Sequence, residues 1–577
     1  MIKRLLPFMK KYKKQAWLSV FFAICEAVLE LILPLIMAAM IDRAIPSGNM
    51  GLILKYGALM VGIALVSLTC GLMLAKCAAT TGQGLGAELR LAEYKKIQTF
   101  SFHNIEKFST ASLITRLTTD ITAVQNSVTM GIKLLVRAPI MMITAIILAL
   151  LINVKLSIIF MIAAPVLIIL VGTIVMNVRP RFKIMQEKID KLNRVVQENL
   201  IAARVVKAFV RDKEEKRKFE FDNNNLFNAS LGAFKVMIMA MPSMQFVMFS
   251  NLIAIYWFGS KLVAGGEIGI GELTSFAGYA MMILTSLMMV AMVLMMVSRS
   301  IASIGRIIEV LDEEPDIKDP DNAIMEVPNG DIEFKNVSFK YNDESKENTL
   351  HNLSFKIKSG ETVGVIGTTG SGKTSMIQLI PRLYDASEGE VFVGDHNVKE
   401  YDLEVLRDSV SVVLQKNTLF SGSITSNLKW GKEDATMEEI ETVSVASCSN
   451  EFIGRLPGEY EMDLGQGGVN VSGGQKQRLC IARALLKSPK VLILDDSTSA
   501  VDTATDAKIR EGFKSSLKDA TKIIIAQRIT SVCEADKIIV MEDGKIVDIG
   551  THNELMDRCE NYRDVYISQQ EGVGLSE

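Results

Sequence analysis

The chain has 577 residues, 49% of them hydrophobic, and a formal net charge of −2 at pH 7. That length calls for more than one domain, and the balance of 63 basic and 65 acidic residues leaves no electrostatic footprint for a nucleic-acid partner. Its 7 cysteines are scattered without a C-x-x-C pair, which argues against a disulfide framework and against a zinc site.

The averages hide a division. Up to about residue 300 the chain consists of apolar runs joined by basic connectors; the rest is mixed and charged, like a soluble domain. At the start, Lys3, Arg4, Lys10, Lys11, Lys13 and Lys14 surround Leu5, Leu6, Phe8 and Tyr12. This predicts a short amphipathic helix over 1–14 on the inner membrane surface. A signal peptide does not fit, because the apolar stretch that follows is too long and lacks a cleavage site.

Six apolar stretches follow, near 16–41, 53–77, 130–152, 157–178, 237–263 and 273–298. Each has around 20 or more residues, enough at about 1.5 Å per residue to cross about 30 Å of hydrocarbon. The connector between spans four and five carries Arg179, Arg181, Lys183, Lys188, Lys191, Arg194, Arg204, Lys207 and Arg211 among others. The one between spans two and three carries Arg90, Lys95, Lys96, Lys107 and Arg116. The opposite loops are short and hold little besides Arg43 and Lys155. The excess of positive charge puts both termini in the cytoplasm, in a multi-pass protein of the cell membrane. Both basic connectors have helical periodicity and few breakers, so they read as extensions of the spans into the cytoplasm.

Two features lie at membrane depth. Glu26 and Glu30 are four residues apart and share one face of the first span. Charge there is costly and faces a cavity or a partner. One reading is attraction of cationic substrates; the other is a polar contact with another span or a water cavity. The sixth span is rich in methionine, with Met281, Met282, Met288, Met289, Met292, Met295 and Met296. Flexible thioethers suit a promiscuous apolar surface, and they suit ordinary packing as well.

The domain reading is therefore a transmembrane domain over 1–311, a polar linker over 312–330 with Pro315, Pro320 and Pro328, and a soluble domain over 331–577. The last begins with β-type patterns. A strand over 362–366 opens into Gly367-Thr368-Thr369-Gly370-Ser371-Gly372-Lys373-Thr374, the pattern of a phosphate-binding loop. The glycines let backbone amides curl round phosphates, Lys373 reaches the β- and γ-phosphates, and the Thr374 hydroxyl takes a place on Mg²⁺. A strand over 410–414 ends at Gln415, and 417–487 reads as mostly helical. Ser472, Gly473 and Gly474 precede a helix starting near Gln475, and bare amides at such a start suit an anion. The buried strand 491–494 ends in Asp495 and Asp496, at the sheet edge where open α/β sheets hold ligands. Asp495 is the hard oxygen ligand that a nucleotide-bound Mg²⁺ needs.

Phosphate loop, strand-end carboxylate and the Val471-Ser472-Gly473-Gly474-Gln475 stretch together resemble an ATP-binding cassette (ABC) exporter half-transporter over essentially the whole chain. The resemblance implies an α-helical transmembrane domain plus an α/β nucleotide-binding domain that uses ATP and Mg²⁺. It further implies that Tyr341 stacks on adenine, that Gln415 senses Mg²⁺ and the interface, and that Ser499 and Asp502 form the loop between the two sites. Short coupling helices are implied near 104–112 and near 211–221. Two such chains pair head to tail, so that Ser472, Gly473, Gly474 and Gln475 complete the partner's ATP site.

Two departures point to the degenerate-site subunit of a heterodimeric bacterial multidrug exporter. The family usually has Glu where Asp496 stands and His where Gln527 stands. Asp is one methylene shorter, roughly 1.5 Å less reach, and such a displacement misplaces a catalytic group. Gln527 lacks imidazole's proton chemistry. A third departure is Gln466 and Gly467, where exporters often have Glu and Arg. The expected partner is a second half-transporter with an intact Glu and His, and the expected cargo is an amphipathic, drug-like molecule moved by alternating access. A homodimer with two slow sites and a lipid or lipid-linked precursor flippase remain alternatives. A regulated channel is disfavoured by the intact signature, an importer by the fusion of domains, and a peptide exporter by the lack of an N-terminal protease domain.

Overall fold

The computed structural model describes residues 2–342, 347–496 and 502–574. For 2, 3, 291, 292, 294–299, 503 and 571–574 the description stops at the backbone. The chain divides into two compact units, one of Met1–Gln98 and Thr110–Glu313, the other of Thr99–Ser109 and Glu314–Glu577.

The first unit is a bundle of long helices. Among the described residues, six are long and apolar enough to cross a membrane. They lie in Lys13–Ala39, Met50–Gln98, Ile121–Ile152, Val154–Ile201, Asp212–Ala264 and Ile270–Asp312. Helices of up to 53 residues continue well past a bilayer's thickness, as the basic connectors predicted. The wedge that ends the third span is local. Asn153 leaves the helix at φ −160°, and its side chain accepts from the Leu156 N–H at 3.0 Å, capping the fourth span at once.

Two expectations change here. Residues 2–12 form a short α-turn and then a 3₁₀ segment, and Leu5 is buried against Leu85, Leu89, Ile121, Val124, Ile304 and Ile307. Leu5, with Phe8 and Met9 partly, thus meets protein, while Leu6 stays exposed. The second coupling helix is not at 211–221, where the long fifth helix has already begun at Asp212. The short helix is Ala203–Ala208, set off by Ala202 at φ −89° and ψ 11° and by Val210 at φ 52°. The first short helix is Phe102–Phe108, capped by Ser101 and closed by Ser109 at φ 59°.

The second unit is built on two sheets. One is antiparallel, in the order β2-β1-β4-β5, from Leu350–Ile357 (β2), Ile332–Phe339 (β1), Glu388–Val393 (β4) and His396–Asn397 (β5). The other is six-stranded, in the order β10-β9-β3-β8-β7-β6. Its members are Lys545–Gly550 (β10), Lys537–Glu542 (β9), Thr362–Gly367 (β3), Thr521–Ile525 (β8), Val491–Asp495 (β7) and Val410–Val413 (β6). All pair in parallel except β10 with β9.

Both faces of this sheet are covered, which is why β7 reads as an unbroken apolar run. Leu492 and Leu494 pack on one side with Leu479, Cys480 and Ile481. Val491 and Ile493 pack on the other with Val363, Val365, Met376 and Ile377. Each such burial is worth about 1.5–3 kcal/mol. The stretch 417–487 is less helical than its composition predicts: short helices and 3₁₀ turns precede the regular helix Gly473–Leu486. Parallel pairing brings the C-terminal ends of β3, β6, β7 and β8 to one edge, and the candidate site is there.

Candidate nucleotide site

Strand β3 is buried between β9 and β8, so its direction is fixed and its end delivers the loop Gly367–Thr374 to that edge. Gly370 and Gly372 both take φ +88°, which a side chain would strain. A Cβ on Gly367 would run into the Met541 carbonyl of β9. The Lys373 ammonium donates to the carbonyls of Gly367 (2.8 Å) and Thr368 (2.7 Å), spanning the mouth of the loop. Burial pulls its pKa below the ordinary lysine value, and the charges of Asp495 and Asp496 work against that. The Thr374 hydroxyl donates to Asp495 at 3.0 Å. Asp495 is 3% exposed, and burial, with the like charge of Asp496, raises its pKa. A hydroxyl and a buried carboxylate side by side are the two hard oxygens that a Mg²⁺ on a nucleotide would take, so the residues fit the ion.

Asp496 follows in a left-handed conformation, φ 47°, while its N–H still donates to Ile525 of β8 at 3.0 Å. The turn swings its carboxylate toward Gln527, whose Nε2 donates to Oδ2 at 2.9 Å. Gln415, just past β6, also hydrogen-bonds this carboxylate. Burial raises the Asp496 pKa, and the Gln415 and Gln527 bonds oppose the rise. Asp496 and Gln527, two of the three departures read from the sequence, are therefore bonded to each other.

Tyr341 lies just beyond β1. Its hydroxyl is 2.8 Å from the Ser375 Oγ and donates to Gln378 at 3.1 Å, both on the helix Lys373–Leu379 that leaves the phosphate loop. Phosphate loop, Tyr341, Gln415, Asp495, Asp496 and Gln527 thus converge. Gln569 joins them unannounced by the sequence. From the C-terminal helix Glu560–Gly574 it donates to the Gln527 carbonyl (2.8 Å) and accepts from the Ile529 N–H (2.9 Å), holding the backbone on which Gln527 sits.

The signature residues are elsewhere. Ser472 caps the helix Gly473–Leu486: its hydroxyl accepts from the Gln475 N–H at 3.4 Å, and Gln475 Oε1 accepts from the Ser472 N–H at 2.9 Å. Among the described residues no hydrogen bond joins Ser472, Gly473, Gly474 or Gln475 to the phosphate loop. Asp502 caps the next helix, accepting from the Thr505 N–H at 3.0 Å, and that bond lowers its pKa. Ser499 lies outside the described residues. Ser472→Ala is expected to cost about 1 kcal/mol through loss of the cap, read as earlier thermal unfolding of this subdomain.

In the membrane unit, Glu26 and Glu30 meet a residue the sequence reading passed over. Arg137 of the third span binds Glu30 through Nη2 at 2.6 and 2.7 Å and Glu26 through Nη1 at 3.2 Å. Glu26 Oε2 and Arg137 Nε are buried with no hydrogen-bond partner. The available signal was Lys133 with Arg137, four apart on span three as Glu26 and Glu30 are on span one. In the sixth span Met282 and Met288 pack against the helix bundle. The side chains of Met292, Met295 and Met296 lie outside the described residues.

Residues 16–288 match the family model for the ABC transporter transmembrane region, and 350–499 match the model for the ABC transporter. An uncharacterized ABC transporter ATP-binding protein of Bacillus subtilis, YfiB, is 37% identical over 98% of both chains. The chain is an ABC transporter. Its transmembrane domain is fused to one nucleotide-binding domain, the arrangement of an exporter half-transporter, and the nucleotide-binding domain is cytoplasmic. A putative multidrug export ATP-binding/permease protein of Bacillus subtilis, YgaD, is 30% identical over 98% of this transporter and 99% of its own length. One of the same description from Staphylococcus aureus is 30% identical over 99% of this chain and all (100%) of its own. The solved structure of a bacterial Atm1-family ABC exporter with ATP bound superposes with a TM-score of 0.80 over 97% of this chain and 98% of that one. At 21% identity that likeness is one of fold. The domain type is one that binds ATP, normally with Mg²⁺, and couples its hydrolysis to transport.

Proposed function

We propose that this chain is the degenerate-site subunit of a heterodimeric exporter. The observation that carries the reading is the Gln527–Asp496 bond of 2.9 Å. Hydrolysis needs a water aligned on the γ-phosphate by a carboxylate with the reach and freedom to take its proton. Asp496 is short and is engaged by two amides, Gln527 and Gln415. An amide cannot exchange a proton in the way an imidazole can. The binding half is intact: Lys373 would neutralise phosphate oxygens, and Thr374 and Asp495 would hold Mg²⁺. This site therefore binds ATP and turns it over slowly.

The signature would serve the partner. A Cβ on Gly473 would meet nothing within 4 Å among the described residues, so no contact among them accounts for the glycine. Ile201, Val205, Phe209 and Val210, in and around the second short helix, are exposed, as an apolar tip awaiting another surface would be. A partner half-transporter supplying Glu and His completes the assembly. Its cargo is an amphipathic, drug-like molecule taken from the cytoplasm or inner leaflet. The multidrug-export descriptions of two relatives support this, and so does the net single negative charge of Glu26, Glu30 and Arg137 at membrane depth.

The test is ATP turnover of the chain alone in lipid, then with candidate partners. The expected result is negligible turnover alone, and turnover in the pair that falls at least about 100-fold when the partner's catalytic Glu becomes Gln. Brisk turnover by the lone chain, abolished by Asp496→Asn, would make it a homodimer that uses Asp as its base.

A further inference from the structure

Glu93 is fully buried on the helix Met50–Gln98, and neither of its carboxylate oxygens has a hydrogen-bond partner among the described residues. It lies about 16 residues past the apolar stretch 53–77, roughly 24 Å farther along the helix at 1.5 Å per residue, so it stands on the cytoplasmic extension and outside the membrane. It falls one turn after Leu89, which packs with Ile121, Ile304 and Ile307. A carboxylate at such a core position, without a donor, is costly to keep charged.

Its charged neighbours are engaged with other groups. Arg116–Asp120 form a single π-helical turn where the third span's helix begins, an irregularity that often marks a working part of a protein. Arg116 donates to the Arg306 carbonyl and pairs with Glu309, both at 2.8 Å. Asp120 accepts from Ser303 at 2.9 Å and from Arg306 Nε at 2.7 Å. Residues 303, 306 and 309 all belong to the sixth span's helix, so two clasps join it to the third. On the Glu93 helix itself, Arg90 donates to the Leu117 carbonyl at 3.2 Å, and Glu88 takes Lys11 of the N-terminal segment at 3.2 Å. From the same segment Arg4 binds Asp312. Burial pushes the Glu93 carboxyl up to about 7, with the Arg116 charge opposing the rise and that of Asp120 adding to it.

We propose that Glu93 is a proton-binding site in the cytoplasmic part of the bundle, and that release of its proton moves Arg116 from Glu309 to Glu93. As the acid, Glu93 is a neutral group in an apolar core, and Arg116 keeps its place on the sixth span's helix. As the anion, it is a charge that water does not reach, and Arg116 is the cation that acts on it. The side chain of Glu309 is 55% exposed and can be left to solvent, whereas that of Arg116 is 10% exposed and stays inside with Glu93. The exchange removes one of the two clasps between the third and sixth spans' helices, and the Asp120 clasp remains. The unit that holds the cluster contains no histidine, the side chain that ordinarily titrates near neutrality. A carboxyl whose value is raised by folding binds more protons folded than unfolded. Its contribution to stability is therefore complete below about 4.5 and is lost as the pH rises to about 7.

Infrared difference spectra of the full chain in lipid nanodiscs, taken between about pH 5.5 and about pH 8.5, report the carbonyl band of protonated carboxyls. The expected result is a band with a midpoint of about 7 that is absent in Glu93→Gln. Amide exchange of residues 85–98 is compared with that of Glu93→Gln at each pH. Protection should be equal at the acid end and at least about tenfold lower in the wild type at the alkaline end. Glu309→Gln, on the exposed rim, releases Arg116 to Glu93 and should lower the midpoint by about one unit, which a Glu309 that merely braces the helices would not do. Glu93→Met, neutral and of similar volume, replaces Glu93→Gln should that variant fail to fold. If no titrating band disappears with Glu93, the proton site is overturned. If the midpoint is the same in Glu309→Gln as in the wild type, the movement of Arg116 is overturned.

Discussion

Asp496→Glu combined with Gln527→His is expected to raise ATP turnover at this chain's own phosphate loop by about 100-fold. The measurement is made in an assembled transporter whose partner's catalytic Glu has been changed to Gln, so that the other site is silent. The extra methylene restores roughly 1.5 Å of reach, and displacements of about 1 Å are worth about 100-fold when a catalytic group must be aligned. The histidine replaces an amide that now holds the carboxylate at 2.9 Å. Either change alone is expected to give less. With Asp496→Glu alone, the longer carboxylate would still be held by Gln527. With Gln527→His alone, the new imidazole would face a carboxylate that is too short. Asp496→Asn in the same background should lower turnover by no more than about twofold, because little is lost when the base is already poor. If the double variant stays at background, the missing activity is not caused by these two positions, and the slow site has another origin.

What the sequence showed of this site was local. Strand β7 was legible because both its faces are covered, which makes it continuously apolar, and its end marked the carboxylates. The phosphate loop was legible because its glycines are needed at Gly370 and Gly372, each at φ +88°. Ser472 and Gln475 were legible as a helix start, since a capping box is a contact between near neighbours. The spans were legible from hydrocarbon thickness alone. What stayed hidden joins distant parts of the chain. Gln569 reaches Gln527 across 42 residues, and Tyr384 reaches Glu106 across 278. No periodicity encodes such pairs. The second short helix was misplaced for a different reason: the sequence of 203–221 reads as one charged helical run, and the break falls at Val210, whose positive φ a β-branched residue does not advertise. That Thr99–Ser109 groups with the second unit agrees with the coupling helix that the family resemblance placed near 104–112, although periodicity alone makes the segment continuous with the membrane helices.

Arg137→Met is expected to destabilise the transmembrane unit by about 3–5 kcal/mol, the cost of leaving buried charge without its partner. Glu26 and Glu30 lie about 15 and 21 Å along the first span from residue 16, at 1.5 Å per residue, so both are at membrane depth. Their side chains are 14% and 30% exposed and that of Arg137 is 26%, so solvent screens the group only in part. Adding Glu26→Gln and Glu30→Gln to Arg137→Met should recover most of the loss, because an uncharged trio has nothing left to neutralise. Thermal unfolding in detergent, read as the folded fraction against temperature, checks both. The same cluster tests the cargo. Glu26→Gln alone brings its net charge from −1 to zero while the bidentate Glu30–Arg137 pair stays. If the extra carboxylate attracts cationic cargo, export of a cationic dye should fall about tenfold, the equivalent of about 1.4 kcal/mol, and export of a neutral dye should hold. Equal loss of both dyes would make the cluster a strut between spans one and three. A wild-type unfolding curve for Arg137→Met would remove the strut as well, since a buried charge pair that can lose its cation at no cost is not holding the helices together.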